Sequence, residues 1–104
     1  MDDTMTTELA SMTIIANAGD GRSYAFQALE EARAGNFEES DRLVAQSDEA
    51  IHLAHKAQTD LLVSEARGEK QDINILLIHS QDHFMTSMLA NELIKEIIRL
   101  YKEK

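Results

Sequence analysis

The chain has 104 residues with nineteen acidic against ten basic side chains, a net charge of −9. That is the size of one domain, large enough for a core yet small enough for association to help bury apolar surface. The absence of cysteine excludes disulfides, thiolate metal sites and a cysteine nucleophile on this chain. The acidic balance, with no basic stripe carrying aromatics, argues against nucleic-acid binding and directs the chain toward basic faces of partners.

The opening Met1-Asp2-Asp3 lacks the basic and apolar regions of a secretory signal. The longest apolar run, Ile75 to Ile78, falls far short of the roughly 18 residues a spanning helix needs. A cytoplasmic location with no membrane insertion is therefore expected. No proline occurs, and alanine, leucine and glutamate recur throughout, a composition suited to long helices. Two turn signals divide the chain. At Ala34-Gly35-Asn36 the glycine ends one helix and Asn36 caps the next, with Glu39 placed as a capping-box partner. Arg67-Gly68-Glu69-Lys70 forms the second, with Asp72 as the following N-cap. The pattern predicts an all-α fold, one domain over 1–104, with helices near 4–33, 37–66 and 72–102.

The first helix carries one stripe at Leu9, Met12, Ala16, Gly19, Ser23 and Phe26 and another at Ile15, Ala18, Ala25, Leu29 and Ala32. Small residues dominate both, so close helix neighbours are expected. Gly19-Asp20-Gly21 looks like part of a phosphate loop, yet it lacks a third glycine, a Lys-Ser/Thr ending and a preceding strand, and reads as a bend or a close helix contact. In the second helix Leu43, Ala50, Ala54, Ala57 and Leu61 follow heptad-like spacing beside Val44, Ile51, His55, Gln58 and Leu62. His55 and Gln58 read as a partly buried hydrogen-bonding pair.

The third helix has two apolar stripes on different faces: Leu77, Phe84 and Met88, and Ile75, Ile78, Met85, Leu89 and Leu93. A three-helix monomer covers the first; the second most simply requires other subunits. Asp82 falls in that second stripe, in a 3-4-3-4 seam of the coiled-coil kind. Around a symmetry axis its copies would repel unless a proton or cation lay between them, and a hard divalent ion such as Mg²⁺ is the expected solution. A seam open to water at that level, or a protonated aspartate, are the alternatives.

His79 lies about 60° from Asp82 on the helical wheel, beside the seam and on an arc with His83. A neutral imidazole is a competent nucleophile near neutral pH and can carry a phosphoryl group onward. His83, one turn on, is placed to hydrogen-bond a group held on His79, with the hydroxyls of Ser80, Thr86 and Ser87 in the same region. Two histidines of no chemical consequence are the plain alternative. A zinc pair at His79 and His83 lacks the adjoining glutamate of a metalloprotease, and Glu49-Ala50-Ile51-His52 supplies only half of a di-iron pattern. A metal-binding or purely structural oligomeric bundle stands as the second reading of function.

Four stretches carry a resemblance to a known family: Ile15-Ala16-Asn17-Ala18-Gly19 with Arg22-Ser23, Gly35-Asn36-Phe37, Ala54-His55-Lys56-Ala57-Gln58-Thr59, and Ile78-His79-Ser80-Gln81-Asp82-His83-Phe84-Met85. Together they resemble the enzyme IIA component of the lactose/cellobiose (N,N'-diacetylchitobiose) branch of the bacterial sugar phosphotransferase system. The resemblance implies a homotrimer of antiparallel three-helix subunits. It implies a relay of phosphate, without a nucleotide, from the phosphocarrier HPr to a cysteine of the cognate IIB, which links the chain to the membrane component IIC. On that pattern His79 matches the phosphoryl acceptor, and Asp82 matches the aspartate that meets its copies and a metal ion at the trimer axis. His83 and Gln81 match assisting positions, and His55 and Gln58 are weaker candidates. Ser80 stands where alanine is common in the family, a change that leaves the chemistry untouched.

Overall fold

The structure, a computed structural model, describes residues 6–104. Three helices, α1 (Thr7–Arg33), α2 (Phe37–Ala66) and α3 (Ile75–Lys102), run up, down and up along a bundle measuring 52 × 23 × 19 Å. Helices of 27 to 30 residues are about 40–45 Å long, so each spans most of the long axis. α1 is the central element, packed along both others, while α2 and α3 meet sparsely.

Helix ends follow from local chemistry. The Thr6 hydroxyl accepts the Leu9 amide at 3.1 Å to start α1; the expected start near residue 4 lies outside the described residues. Gly35 and Gly68 adopt φ of +84° and +90° after α1 and α2, the left-handed conformation that ends helices and suits glycine. The capping expectations are corrected at two places. Asn36 occupies the N-cap of α2 without a side-chain cap bond, and Glu39 is engaged by Arg42 instead of reaching back. α3 is capped by Asn74, whose side chain accepts the Leu77 amide at 2.9 Å, and not by Asp72. The helix therefore opens at Ile75.

Small side chains set the spacing of the bundle. Along α1, Ser11, Ile14, Ala18, Gly21, Ala25, Ala28 and Ala32 are buried, and along α2, Ser40, Leu43, Ser47, Ala50, Ala54, Ala57 and Leu61. Both sets alternate spacings of three and four, the pattern of a left-handed helix seam. The approach is closest at Gly21, where a Cβ would lie 2.7 Å from Ile51 Cδ1. Gly19-Asp20-Gly21 is thus continuous helix at a tight crossing, with no phosphate loop. The stripe expected at Leu9, Met12 and Phe26 is exposed in the single chain, and Ile14 and Ala28 take its place in the core.

Two apolar clusters fill the interior. One joins Ile14, Ala18, Ala54, Leu61 and Phe84, with Leu77 and Met88 against it; the other joins Ala25, Ala28, Leu43, Ile94 and Ile98. Between them lies a polar bridge across all three helices. Ser47 Oγ donates to the Gly21 carbonyl at 2.6 Å, and Asn91 Nδ2 donates to Ser47 Oγ at 2.8 Å and to Asp48 Oδ1 at 3.0 Å. Lys95 closes the bridge at the surface on Asp48. Each buried group in it has a partner, as burial demands.

Candidate functional site

The register of α3 decides what its polar turn presents. Ser80, Phe84, Ser87 and Asn91 face inward, so His79 is carried to the outer surface and is exposed, while His83 is half-buried against α1. The two imidazoles lie nearly parallel, 12° apart, with ring centroids separated by 5.6 Å. Beneath His83 is Gly19 of α1: His83 Nε2 lies 3.4 Å from where a Cβ would stand. His79 is thereby an exposed imidazole with a second imidazole at its side.

The opposite flank of the same turn is tied to α2. Gln58 Nε2 donates to Gln81 Oε1 at 2.7 Å, and the His55 ring stacks on Phe84 at 5.9 Å and 10°. Gln81 lies about 200° around the helix from His79, with its amide committed to Gln58. The structure therefore brings His79 and His83 together and sets Gln81, Gln58 and His55 on the other side. The hydroxyls are either bonded to the backbone or buried without a partner. Ser80 is buried and donates to the Leu77 carbonyl at 2.6 Å, Thr86 donates to the Asp82 carbonyl at 2.9 Å, and Ser87 is fully buried. None of the three stands free beside His79.

Asp82 occupies a third strip. It is exposed, in line with Ile78, Met85, Leu89 and Leu93, each more than half exposed. The expectation of a Mg²⁺-like ion at Asp82 is corrected here: among the described residues no three His, Asp or Glu side chains converge to hold a metal. Asp82 has apolar neighbours along its face. The same finding removes the zinc and di-iron readings, and Glu49 and His52 are simply exposed on α2.

Comparison with known proteins decides what such a turn belongs to. Residues 9–102 match the family model described as PTS system, Lactose/Cellobiose specific IIA subunit. The chain belongs to this family. It is 46% identical over 94 residues to the lactose-specific EIIA component of Streptococcus mutans, covering 90% of each chain. It is similar to the crystal structure of the cellobiose-specific enzyme IIA of Bacillus anthracis, with TM-score 0.91, 45% identity, and 96% and 92% of the two chains covered. It is also similar to the solution structure of the IIA(chitobiose)–HPr complex of the Escherichia coli phosphotransferase system, with TM-score 0.81, 39% identity, and 96% and 97% covered.

As an IIA subunit the chain is a phosphotransferase component, a phosphoryl carrier for a lactose, cellobiose or chitobiose type of sugar that works through a phosphohistidine. Among its described residues no helix is long and apolar enough to cross a membrane. Two features of this IIA subunit escaped the sequence. The bridge of Ser47, Asn91, Asp48 and Lys95 joins residues more than forty positions apart and leaves no local signal. The seat of His83 on Gly19 left one: a mid-helix glycine in an alanine-rich stripe, where helix propensity favours alanine.

Proposed function

We propose that His79 is the phosphoryl acceptor of this IIA subunit, taking phosphate from phospho-HPr and passing it to a cysteine of the cognate IIB during uptake of a lactose-, cellobiose- or chitobiose-type disaccharide. The observation that carries the reading is the exposed His79 imidazole stacked beside half-buried His83, within a fold similar to an IIA determined in complex with HPr. A nitrogen of neutral His79 attacks the donor phosphorus in line. The new N–P bond forms as the donor's N–P bond breaks, and a proton passes to the departing imidazole. In the second step a thiolate of IIB attacks the same phosphorus, forming S–P and releasing His79. Both partners must reach one imidazole, which a convex and exposed position allows. His83 is the assisting residue on this flank, a donor to a phosphoryl oxygen held on His79. Gln81, bonded to Gln58, holds α3 against α2 and assists by fixing the turn.

The homotrimer belongs to the same proposal. Ile75, Ile78, Met85, Leu89 and Leu93 form an exposed strip along α3, larger than scattered surface leucines account for, and three copies around an axis would cover it. Three Asp82 carboxylates then approach one another, and water at that level or a shared proton relieves their repulsion. Reconstitution with phosphoenolpyruvate, enzyme I and HPr tests the relay. Wild-type protein should acquire an acid-labile phosphoryl group and lose it to IIB, whereas His79→Ala should acquire none. Equal labelling of both proteins sinks the assignment.

A further inference from the structure

We propose that Gly19 is a positioning residue for phosphoryl transfer, acting through His83; the inference rests on His79 as the acceptor. Glycine is disfavoured inside a helix relative to alanine, and α1 uses alanine at most of its close contacts. Three reasons for a glycine are separable here. A left-handed backbone is not one, since Gly19 lies within α1 and positive φ occurs only at Gly35 and Gly68. Crowding between helices is not one either: that is the situation of Gly21, whose missing Cβ would strike Ile51. At Gly19 a single atom outside the local helix backbone lies within 4 Å of the Cβ position, and it is His83 Nε2 at 3.4 Å.

The bare backbone at Gly19 thus lets the His83 ring settle against α1 while its face stays within 12° of parallel to His79. A methyl at this position would stand 3.4 Å from Nε2, at the edge of tight contact, so the ring must give slightly. A longer or branched side chain fills the space occupied by the ring edge, and the imidazole must turn about its side-chain torsions, out of the stack. His79 itself touches nothing on α1 through Gly19, so the effect reaches the phosphoryl group only by way of His83. The backbone of α1 continues through this position in regular helix, and the side chain of a variant points to a half-buried surface. Substitution there should leave the bundle folded.

The test compares Gly19→Ala and Gly19→Leu, each alone and combined with His83→Ala, in the HPr-dependent labelling of His79. Gly19→Ala should slow transfer slightly, because the His83 ring must give a little to admit a methyl. Gly19→Leu should slow transfer by up to roughly 100-fold, the scale for misplacing an assisting group by about 1 Å, and should fall to the level of His83→Ala. In the His83→Ala background Gly19→Leu should add nothing, because the group it displaces is gone. Independently of activity, the imidazole ring resonances of His83 should move strongly in Gly19→Leu and slightly in Gly19→Ala. Unmoved His83 resonances overturn the proposal, as does a Gly19→Leu defect that persists undiminished without His83. Absence of label from the wild-type protein overturns the parent assignment of His79 instead, so the two failures are distinguishable.

Discussion

Asn91→Ala probes the polar bridge that holds three helices in register. Asn91 is 4% exposed and donates to Ser47 Oγ at 2.8 Å and to Asp48 Oδ1 at 3.0 Å. The first bond is buried and neutral and has a net value of about 1 kcal/mol. The second is charge-assisted, but the Asp48 side chain is 46% exposed and also receives Lys95. Water recovers most of its loss, leaving about 0.5 kcal/mol. The small void left by the amide adds about 0.5 kcal/mol. Ser47 keeps its own bond to the Gly21 carbonyl, so no buried hydroxyl is stranded. The total is a loss of about 2 kcal/mol, or roughly 10 °C in melting temperature for a chain of this size. Urea unfolding measures it, at one fixed protein concentration because self-association raises apparent stability. A double-mutant cycle with Ser47→Ala should return a coupling of about 1 kcal/mol. A total loss under about 0.5 kcal/mol, or strict additivity in the cycle, refutes the bridge as a source of stability.

Three further outcomes follow from particular contacts. A Cβ at Gly21 would lie 2.7 Å from Ile51 Cδ1 and 3.3 Å from the Ser47 carbonyl oxygen, so Gly21→Val should cost about 1–3 kcal/mol in urea unfolding; wild-type stability would show that α1 and α2 separate freely. Leu89→Asp puts a charge on the exposed strip of α3 and should convert a trimer to monomers in sedimentation without loss of helix content, whereas equal masses for both proteins remove that strip from the interface. Asp82→Leu should strengthen self-association by about 1–4 kcal/mol, the range for replacing poorly compensated buried charge with apolar packing, and unchanged association places Asp82 away from any subunit contact.

Much of the bundle was legible because its signals are local. Gly35 and Gly68 mark the turns through their own backbone preference, and the two faces of α3 separate into a covered one with Leu77 and Phe84 and an exposed one with Ile78, Met85 and Leu89. The buried seam positions of the three helices were harder to find for a definite reason. Five serines, Ser11, Ser40, Ser47, Ser80 and Ser87, are fully buried at seam positions, and a reading that counts apolar side chains skips them. Serine is small, and three of these hydroxyls satisfy themselves on carbonyls of Ala28, Gly21 and Leu77, so it serves the close packing as alanine does. On α1, Leu9, Met12 and Phe26, more hydrophobic by type, mark the exposed face.

In the site, wheel geometry separates His79 from Asp82 because both angles belong to one helix. It does not show that Gln81 is held by Gln58 or that His83 rests on Gly19, since those partners come from α2 and α1. The Mg²⁺ expectation failed at the corresponding step. It assumed that copies of Asp82 would converge on an ion at a trimer axis, and among the described residues no three His, Asp or Glu side chains come together to hold one.

Fragmentation mass spectrometry of the phosphorylated protein, kept at alkaline pH to preserve a phosphoramidate, tests the central claim most directly. The phosphoryl group should reside on the peptide position of His79 and on none of His52, His55 or His83. Label on His83, or on either histidine of α2, would contradict the assignment of the exposed imidazole as the carrier.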